Sequence, residues 1–291
     1  MSTVSDSIQE QAKFPVRAGV VGWPITHSRS PIIHNYWLAK YGISARYDKF
    51  PVAPGKFLEF ARSMPEKGLL GCNVTIPLKT EAFSAAEVRH PDAAATGAAN
   101  TIWFEGGKIH ATNTDIEGFM QSLNRGAPDW RRRDLPVVVL GAGGAARGII
   151  YGLLKAGVGR IHLLNRTRKN AERQQAELGP HRIEVFDWTE CAKALRGAGT
   201  LVNTTALGMT GKPPLEIDLT ALGGEATVVD IVYAPLETEL LASARRLGHT
   251  PVDGLGMLLY QAAPAFERWF GVRPEVTPEL RSMVEADLEA R

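Results

Sequence analysis

Leu135-Pro-Val-Val-Val-Leu140-Gly141-Ala-Gly143-Gly144-Ala-Ala-Arg-Gly148 decides how this chain is read. An apolar, β-branched run feeds a glycine-rich turn. A helix-like stretch over 144–156 follows, stopped by Gly157. That order is the strand–turn–helix opening of a dinucleotide-binding βαβ unit. Each small residue has a use. Gly141 permits the tight turn, Gly143 lets backbone N–H groups approach a pyrophosphate, and Ala146 lets the helix lie close on its strand. Gly144 and Ala145 open the helix, whose unpaired N–H groups and dipole favour an anion.

The residues after the next strand, 160–164, bear on which dinucleotide binds. A site for a free ribose 2′-hydroxyl places Asp or Glu roughly 20 residues past the glycines. Here the strand ends in Asn165-Arg166-Thr167-Arg168. No carboxylate stands there to repel a 2′-phosphate, and two guanidinium groups are present to bind one. The reading is NADP. The bland alternative is a basic, solvated loop on a domain for another dinucleotide.

Outward from this motif, 291 residues suit about two domains. A composition of 44% hydrophobic and 22% charged residues is ordinary globular material. A net charge of +2 gives no sign of nucleic acid as a partner. Arg131-Arg132-Arg133, flanked by Asp129 and Asp134, reads as a solvated linker. Cys72 and Cys191 have no metal-ligand spacing and imply no disulfide framework, so no metal is expected and a reducing cytoplasm fits. The segment 1–13 is polar and lacks an apolar signal core. No apolar run reaches the roughly 18 residues of a membrane helix.

Strand and helix signals alternate along the chain, which argues α/β. Strands are expected at 16–22, 46–50, 71–75, 101–104 and 108–111, with helices at 30–41, 56–62, 79–86 and 115–123, the last capped by Thr114. Glu105-Gly106-Gly107 signals a hairpin. Residues 125–134, rich in Gly, Pro and charge, look like a domain boundary. Later strands are expected at 182–186, 200–203, 227–231 and 250–252. Asp253-Gly-Leu-Gly256 breaks the pattern before helices at 257–270 and 279–288. A chain ending in helices can return to its first domain. The expected architecture is therefore a discontinuous N-terminal α/β substrate domain, 1–124 with 254–291, plus a Rossmann-type dinucleotide domain, 125–253, with a cleft between them.

Polar side chains gather at expected strand ends and helix starts of the first domain. His27-Ser28-Arg29-Ser30-Pro31 puts two hydroxyls at a helix N-terminus, a site for a carboxylate. Ser30 is also a plain helix cap, which does not account for Ser28. Asn73 and Thr75 share one side of a strand end, and Pro77 then turns the chain. Lys79 opens a helix, where the dipole disfavours a cation. Such a lysine is either an exposed surface residue or one recruited for proton transfer. Asn100-Thr101, Asn113-Thr114-Asp115 and Gln261 add amides, hydroxyls and a carboxylate. Together these groups suit a small polyhydroxy acid.

The full set resembles the shikimate dehydrogenase family over nearly the whole chain. The resemblance rests on Gly22-Trp-Pro-Ile-Thr-His-Ser-Arg-Ser-Pro31, Gly71-Cys-Asn-Val-Thr-Ile-Pro-Leu-Lys79, Gly97-Ala-Ala-Asn-Thr101 and Asn113-Thr-Asp115. It rests equally on Gly141-Ala-Gly-Gly-Ala145, Asn165-Arg-Thr167 and Asp253-Gly-Leu-Gly-Met-Leu-Leu-Tyr-Gln261. It implies that Ser28 and Ser30 hold a substrate carboxylate. Asn73, Thr75, Asn100, Asp115, Tyr233 and Gln261 would contact the rest of the substrate, and Lys79 and Asp115 would form the catalytic pair. Gly141, Ala142, Gly143, Gly144, Ala145, Asn165, Arg166, Thr167, Thr204, Val232 and Gly254 would bind NADP.

The reaction implied is reversible reduction of 3-dehydroshikimate to shikimate with NADPH, in aromatic amino-acid precursor synthesis, by a cytoplasmic monomer or homodimer. A quinate, or dual quinate/shikimate, dehydrogenase is the nearest rival. A non-catalytic NADP sensor is the rival from another class, and Lys79 with Asp115 argues against it.

Overall fold

The computed structural model describes residues 16–131 and 135–290. The polar stretch 1–13, Arg132, Arg133 and Asp134 lie outside the described residues. The chain divides into two compact units, one running to Thr114 and including Gln261–Asp287, the other comprising Asp115–Tyr260 and the residues from Leu288.

The first unit is built on a six-stranded mixed sheet of order β2-β1-β3-β5-β6-β4. Its strands are β1 (Arg17–Gly22), β2 (Arg46–Pro51), β3 (Leu69–Val74), β4 (Val88–Arg89), β5 (Thr101–Glu105) and β6 (Lys108–Thr112). β1 pairs in parallel with β2 and β3. Crossover helices α1 (Ser30–Lys40) and α2 (Phe57–Ser63) make that possible. β5 and β6 are antiparallel, joined through Gly106 and Gly107. Both glycines have positive φ, 58° and 74°, as a two-residue hairpin loop of this hand requires. Helices α3 (Lys79–Ala85) and α4 (Pro91–Thr96) complete the N-terminal part.

Phe57, Met64, Cys72, Leu78, Ala82 and Ile102 are among the buried residues of one core of this unit. An aromatic cluster forms another, drawing on α1, β2 and the helix Gly254–Phe270 (α10 below). His34 stacks on Tyr47 with ring centroids 4.0 Å apart and near-parallel planes. Trp269 Nε1 donates to the Ile102 carbonyl at 3.2 Å. A side chain at Gly71 would collide with that indole, so the close approach needs glycine there. The C-terminal segment is tied to α1: Arg29 Nε meets Asp287 Oδ2 at 2.9 Å, and Trp37 Nε1 donates to the Glu275 carbonyl at 3.1 Å.

The second unit is a six-stranded all-parallel sheet of order β12-β11-β10-β7-β8-β9. The strands are β7 (Val137–Leu140), β8 (Ile161–Leu164), β9 (Ile183–Phe186), β10 (Thr200–Asn203), β11 (Thr227–Asp230) and β12 (Thr250–Val252). Read from β9, this is the doubly wound dinucleotide order, and its topological switch lies between β7 and β10. Val137 and Val139 join one buried cluster while Val138 and Leu140 join another. Alternate side chains buried in separate clusters are why β7 reads as one unbroken apolar run. Helices α5 (Asp115–Gly126), α6 (Gly144–Lys155), α7 (Arg168–Leu178), α8 (Cys191–Leu195) and α9 (Glu239–Arg246) accompany the sheet. The chain closes with α10 (Gly254–Phe270) and α11 (Pro278–Glu289). No helix among the described residues is long and apolar enough to cross a membrane.

Several expectations need correction. Of the expected boundary 125–134, the described part, 125–131, is not simply loose, because Ala127 and Trp130 are buried in the same core as Phe119, Leu123 and Ile149. Trp130 Nε1 also donates to Asn124 Oδ1 at 2.7 Å. The division between units therefore falls before α5, after Thr114, rather than near residue 124. Asp253-Gly-Leu-Gly256 does not break the pattern but starts α10 at Gly254, with Asp253 Oδ1 accepting from Leu255 N–H at 3.0 Å. Helices α4, α7, α8 and α9 were not foreseen; α7 buries only Ala171 and Gln174, too little to give a periodic signal.

His34 provides a test of the first unit. Burial holds its imidazole neutral, lowering its pKa to about 3, with Asn73 opposing the shift. The unfolded chain, near 6.5, binds the proton first, so stability is present above about pH 6.5 and is lost as pH falls toward 3. Replacing His34 with Phe keeps an aromatic ring and removes the titration. Between pH 7 and pH 5 the wild type should lose about 1–2 kcal/mol of stability that His34→Phe does not lose. Hydrogen exchange of β1 and β3 amides at the two pH values measures this. Equal losses would show that His34 does not set the acid limb.

Candidate functional site

In the first unit the candidates Asn73, Asn100 and Gln261 belong to one connected polar network. Asn73 ends β3 and is buried. Its Oδ1 accepts from Tyr47 Oη at 2.7 Å, and its Nδ2 donates to the Asn100 carbonyl at 3.3 Å and to Thr101 Oγ1 at 3.2 Å. Asn100, 2% exposed, is the centre of the network. Its Oδ1 accepts from Thr114 N–H at 2.7 Å, and its Nδ2 donates to Thr114 Oγ1 at 2.9 Å and Gln261 Oε1 at 3.3 Å. Its own N–H goes to the Thr112 carbonyl at 3.1 Å, and its carbonyl accepts from Val74 N–H at 2.7 Å. The amides at the ends of β3 and β5 and on α10 are thus fixed relative to one another.

Thr75 follows β3 and is half-buried, its N–H bonded to the Val21 carbonyl at 2.9 Å. Lys79 is the first residue of α3, as expected, and is also half-buried. Its carbonyl accepts from Ala99 N–H at 2.9 Å, which ties the start of α3 to the residue before Asn100. Asp115 opens α5 and is the first residue of the second unit, next in the chain after Thr114.

The serine pair differs from its expected division of labour. Ser30, buried, is the first residue of α1, and Arg29 before it gives that helix no side-chain cap. Ser28 Oγ instead accepts from Ser30 N–H at 3.3 Å. Ser28 is the residue that serves the helix start, and its hydroxyl proton is not used in that bond. Arg29 is directed away, bonded to the His27 carbonyl and Asp287.

Tyr47 was missed by the sequence reading. It is buried, which pushes its phenol pKa up, and it orients Asn73. As one aromatic in a short strand it carries no pattern of its own.

In the second unit the glycine turn sits at the switch point. Gly141 has φ of 101°, and a Cβ there would come 2.7 Å from Thr204 Oγ1. Thr204 in turn donates Oγ1–H to the Leu140 carbonyl at 2.6 Å. Gly143, Gly144 and Ala145 are exposed, whereas Ala146 is fully buried. α6 has no side-chain cap, and its first N–H groups have no partner within the helix. Gln174 of α7 donates to the carbonyls of Ala142 and Gly143 at 2.9 and 3.0 Å. Asn165 Oδ1 accepts from Ala142 N–H at 3.1 Å, and its Nδ2 donates to the Thr167 carbonyl at 2.8 Å. One side chain thus couples the glycine turn to the Asn165–Thr167 loop. Arg166 is exposed and makes no hydrogen bond or ion pair among the described residues. An uncapped helix start, glycines where a side chain would obstruct, and an uncommitted guanidinium fit a dinucleotide carrying an extra phosphate.

Val232 and Tyr233 follow β11. Asp230, fully buried, accepts from Val232 N–H at 3.0 Å, Asn203 Nδ2 at 2.9 Å and Thr238 Oγ1 at 2.7 Å. Burial raises the Asp230 pKa, and those three bonds oppose the rise. Gly254 lies so close to the Ile231 carbonyl that a Cβ would overlap it. Gln174 and Asp230 were not singled out from sequence. A polar residue amid the apolar positions of a buried strand was the available signal for Asp230; Gln174 gave none.

The chain is similar to known proteins along most of its length. Residues 20–102 match the shikimate dehydrogenase substrate binding domain, 128–209 the shikimate/quinate 5-dehydrogenase family, and 254–278 the shikimate 5′-dehydrogenase C-terminal domain. A shikimate dehydrogenase (NADP(+)) of Methylocella silvestris is 53% identical over 94% of this chain and 97% of its own. A shikimate dehydrogenase solved with NADP+ superposes with a TM-score of 0.86 at 31% identity, covering 94% of this chain and 96% of that one. A quinate dehydrogenase from Corynebacterium glutamicum, solved with NAD, gives 0.84 at 27% identity over 94% and 99%. Identity above one half along nearly the full length of both chains means that this chain belongs to the shikimate dehydrogenase family.

Proposed function

We propose that this chain reduces 3-dehydroshikimate to shikimate, reversibly, with NADPH. The observation that carries the substrate side is the buried network of Asn73, Asn100, Thr114 and Gln261 beside the start of α3. A polyhydroxy acid offers hydrogen-bonding groups to the amides and hydroxyls that this network holds in place, whereas an apolar ligand offers none. Ser28, Ser30 and the start of α1 take the carboxylate, with the Ser28 hydroxyl proton directed to the anion. Asn73, Thr75, Asn100, Tyr233 and Gln261 hold the ring hydroxyls.

NADPH, when bound, supplies the hydride. The helix start at Gly143–Ala145 takes the pyrophosphate, and Asn165, Arg166 and Thr167 read the ribose 2′-phosphate. Thr204, Val232 and Gly254 border the remaining path of the cofactor. As the substrate ketone becomes an alcohol, negative charge grows on its oxygen. Lys79 Nζ stabilises that oxygen and gives it a proton. In the oxidative direction the neutral amine takes the proton back. Asp115 enters as the carboxylate partner of Lys79 on the family resemblance. A reducing cytoplasm accords with the free thiols Cys72 and Cys191.

Lys79→Ala should lower kcat by roughly a hundredfold to ten-thousandfold, the range of a positioned acid–base group. KM for shikimate should change far less, because the carboxylate and hydroxyl contacts remain. Steady-state kinetics of the folded variant decide this, and near-normal kcat would refute the role of Lys79. Arg166→Ala should weaken NADP binding by about tenfold to a hundredfold and leave NAD binding nearly unchanged. Fluorescence titration with both cofactors measures it. Equal losses for the two would make Arg166 a structural residue.

A further inference from the structure

Arg168 was expected to offer the cofactor phosphate a second guanidinium. Its side chain is committed elsewhere. Nε meets Glu172 Oε1 at 2.8 Å, and Nη1 meets Asp187 Oδ2 at 2.9 Å. Both bonds raise the pKa of Arg168 and keep it charged. The position of Asp187 makes this consequential. β8 and β9 run parallel with Leu164 opposite Phe186, so Asn165 and Asp187 are the next residues along two adjacent strands. Neighbouring strands lie about 4.8 Å apart. The Asp187 carboxylate therefore belongs to the same end of the sheet as the Asn165–Thr167 loop. Glu190 is already accounted for, bonded to Asp187 N–H at 3.1 Å and to Lys193 at 3.2 Å. Arg168 is the cation that bonds Asp187 and Glu172.

We propose that Arg168 sets cofactor choice indirectly, as the counter-ion that stops Asp187 and Glu172 from repelling a 2′-phosphate held by Arg166. This rests on the reading of Asn165–Thr167 as the 2′-phosphate loop. A carboxylate at this end of β8 is the charge that disfavours a phosphorylated ribose, and one at the same end of the adjacent strand β9 repels it through the same Coulomb interaction. This chain carries such an acid, one strand over, and neutralises it within the first turn of α7. Stability does not explain the pairs. All three side chains are about half exposed, and exposed ion pairs contribute little to folding.

The test uses the full-length chain and measures KM and Kd for NADPH and NADH at low and high salt. The variants are Arg168→Gln, Asp187→Asn, the double variant and Arg166→Ala. Asn still caps the turn that Asp187 begins, so Asp187→Asn removes charge and keeps the local fold. Arg168→Gln should weaken NADPH by about threefold to tenfold, leave NADH unchanged, keep the melting temperature, and lose most of its effect at high salt. Adding Asp187→Asn should recover most of the loss. Failure of that rescue would overturn the proposal, because an Arg168 that touches phosphate directly cannot be replaced by removing Asp187. An Arg168→Gln variant with wild-type NADPH affinity would overturn it as well. Arg166→Ala separates the two ideas. A selective NADPH loss there, with no rescue at Arg168, sinks only this inference; no selective loss there removes the phosphate loop and this inference with it.

Discussion

Burial of Asn100 obliges each of its polar atoms to find a partner, and the first unit is arranged around meeting that demand. Its backbone joins β3 to β6, and its side chain holds Thr114 and Gln261. Losing one such bond strands the other partner, at about 1–3 kcal/mol, more than a typical exposed contact is worth. The site residues therefore inherit their positions from a satisfied core network. Lys79 is tied to the same point through the bond from Ala99 to its carbonyl. If Lys79 is the proton donor proposed above, the same rigidity would serve turnover as well as folding, because a donor misplaced by an ångström loses much of its effect.

The second unit meets a different constraint, leaving backbone donors free at a turn that must still be rigid. Gln174 and Asn165 do this from the side. They occupy the carbonyls of Ala142 and Gly143 and the N–H of Ala142, while the helix start remains uncapped. Asp230 repeats the device at the end of β11, where one buried carboxylate anchors Asn203, Val232 and Thr238. In both places a polar side chain fixes a stretch of backbone that follows a strand end.

The glycine turn, the Asn165–Thr167 loop and the lysine at the start of α3 were legible because each breaks a local rule. Glycines interrupt an apolar strand, no acid stands where one is usual, and a cation sits at a positive helix end. Residues that act by supporting others were hidden. Nothing in the local sequence sets Tyr47 or His34 apart from other aromatic residues. α7 has almost no apolar face, so its Gln174 had no element to belong to. Residues 125–131 looked like a linker by composition, although Ala127 and Trp130 are core. Gly254 and Gly256 read as helix breakers, yet they are small because Ile231 and Ser122 press against them. Local sequence carries turn chemistry and periodicity, not which distant backbone will approach.

The most direct measurement of the account is an oxidation panel: shikimate and quinate, each with NADP and with NAD, followed by reduced-nicotinamide absorbance. The proposed roles of the serines and amides in the first unit and of Arg166 in the second predict that shikimate with NADP has the highest kcat/KM, about tenfold or more above either shikimate with NAD or quinate with NADP. Quinate with NAD turned over as efficiently as shikimate with NADP would contradict both the substrate and the cofactor reading.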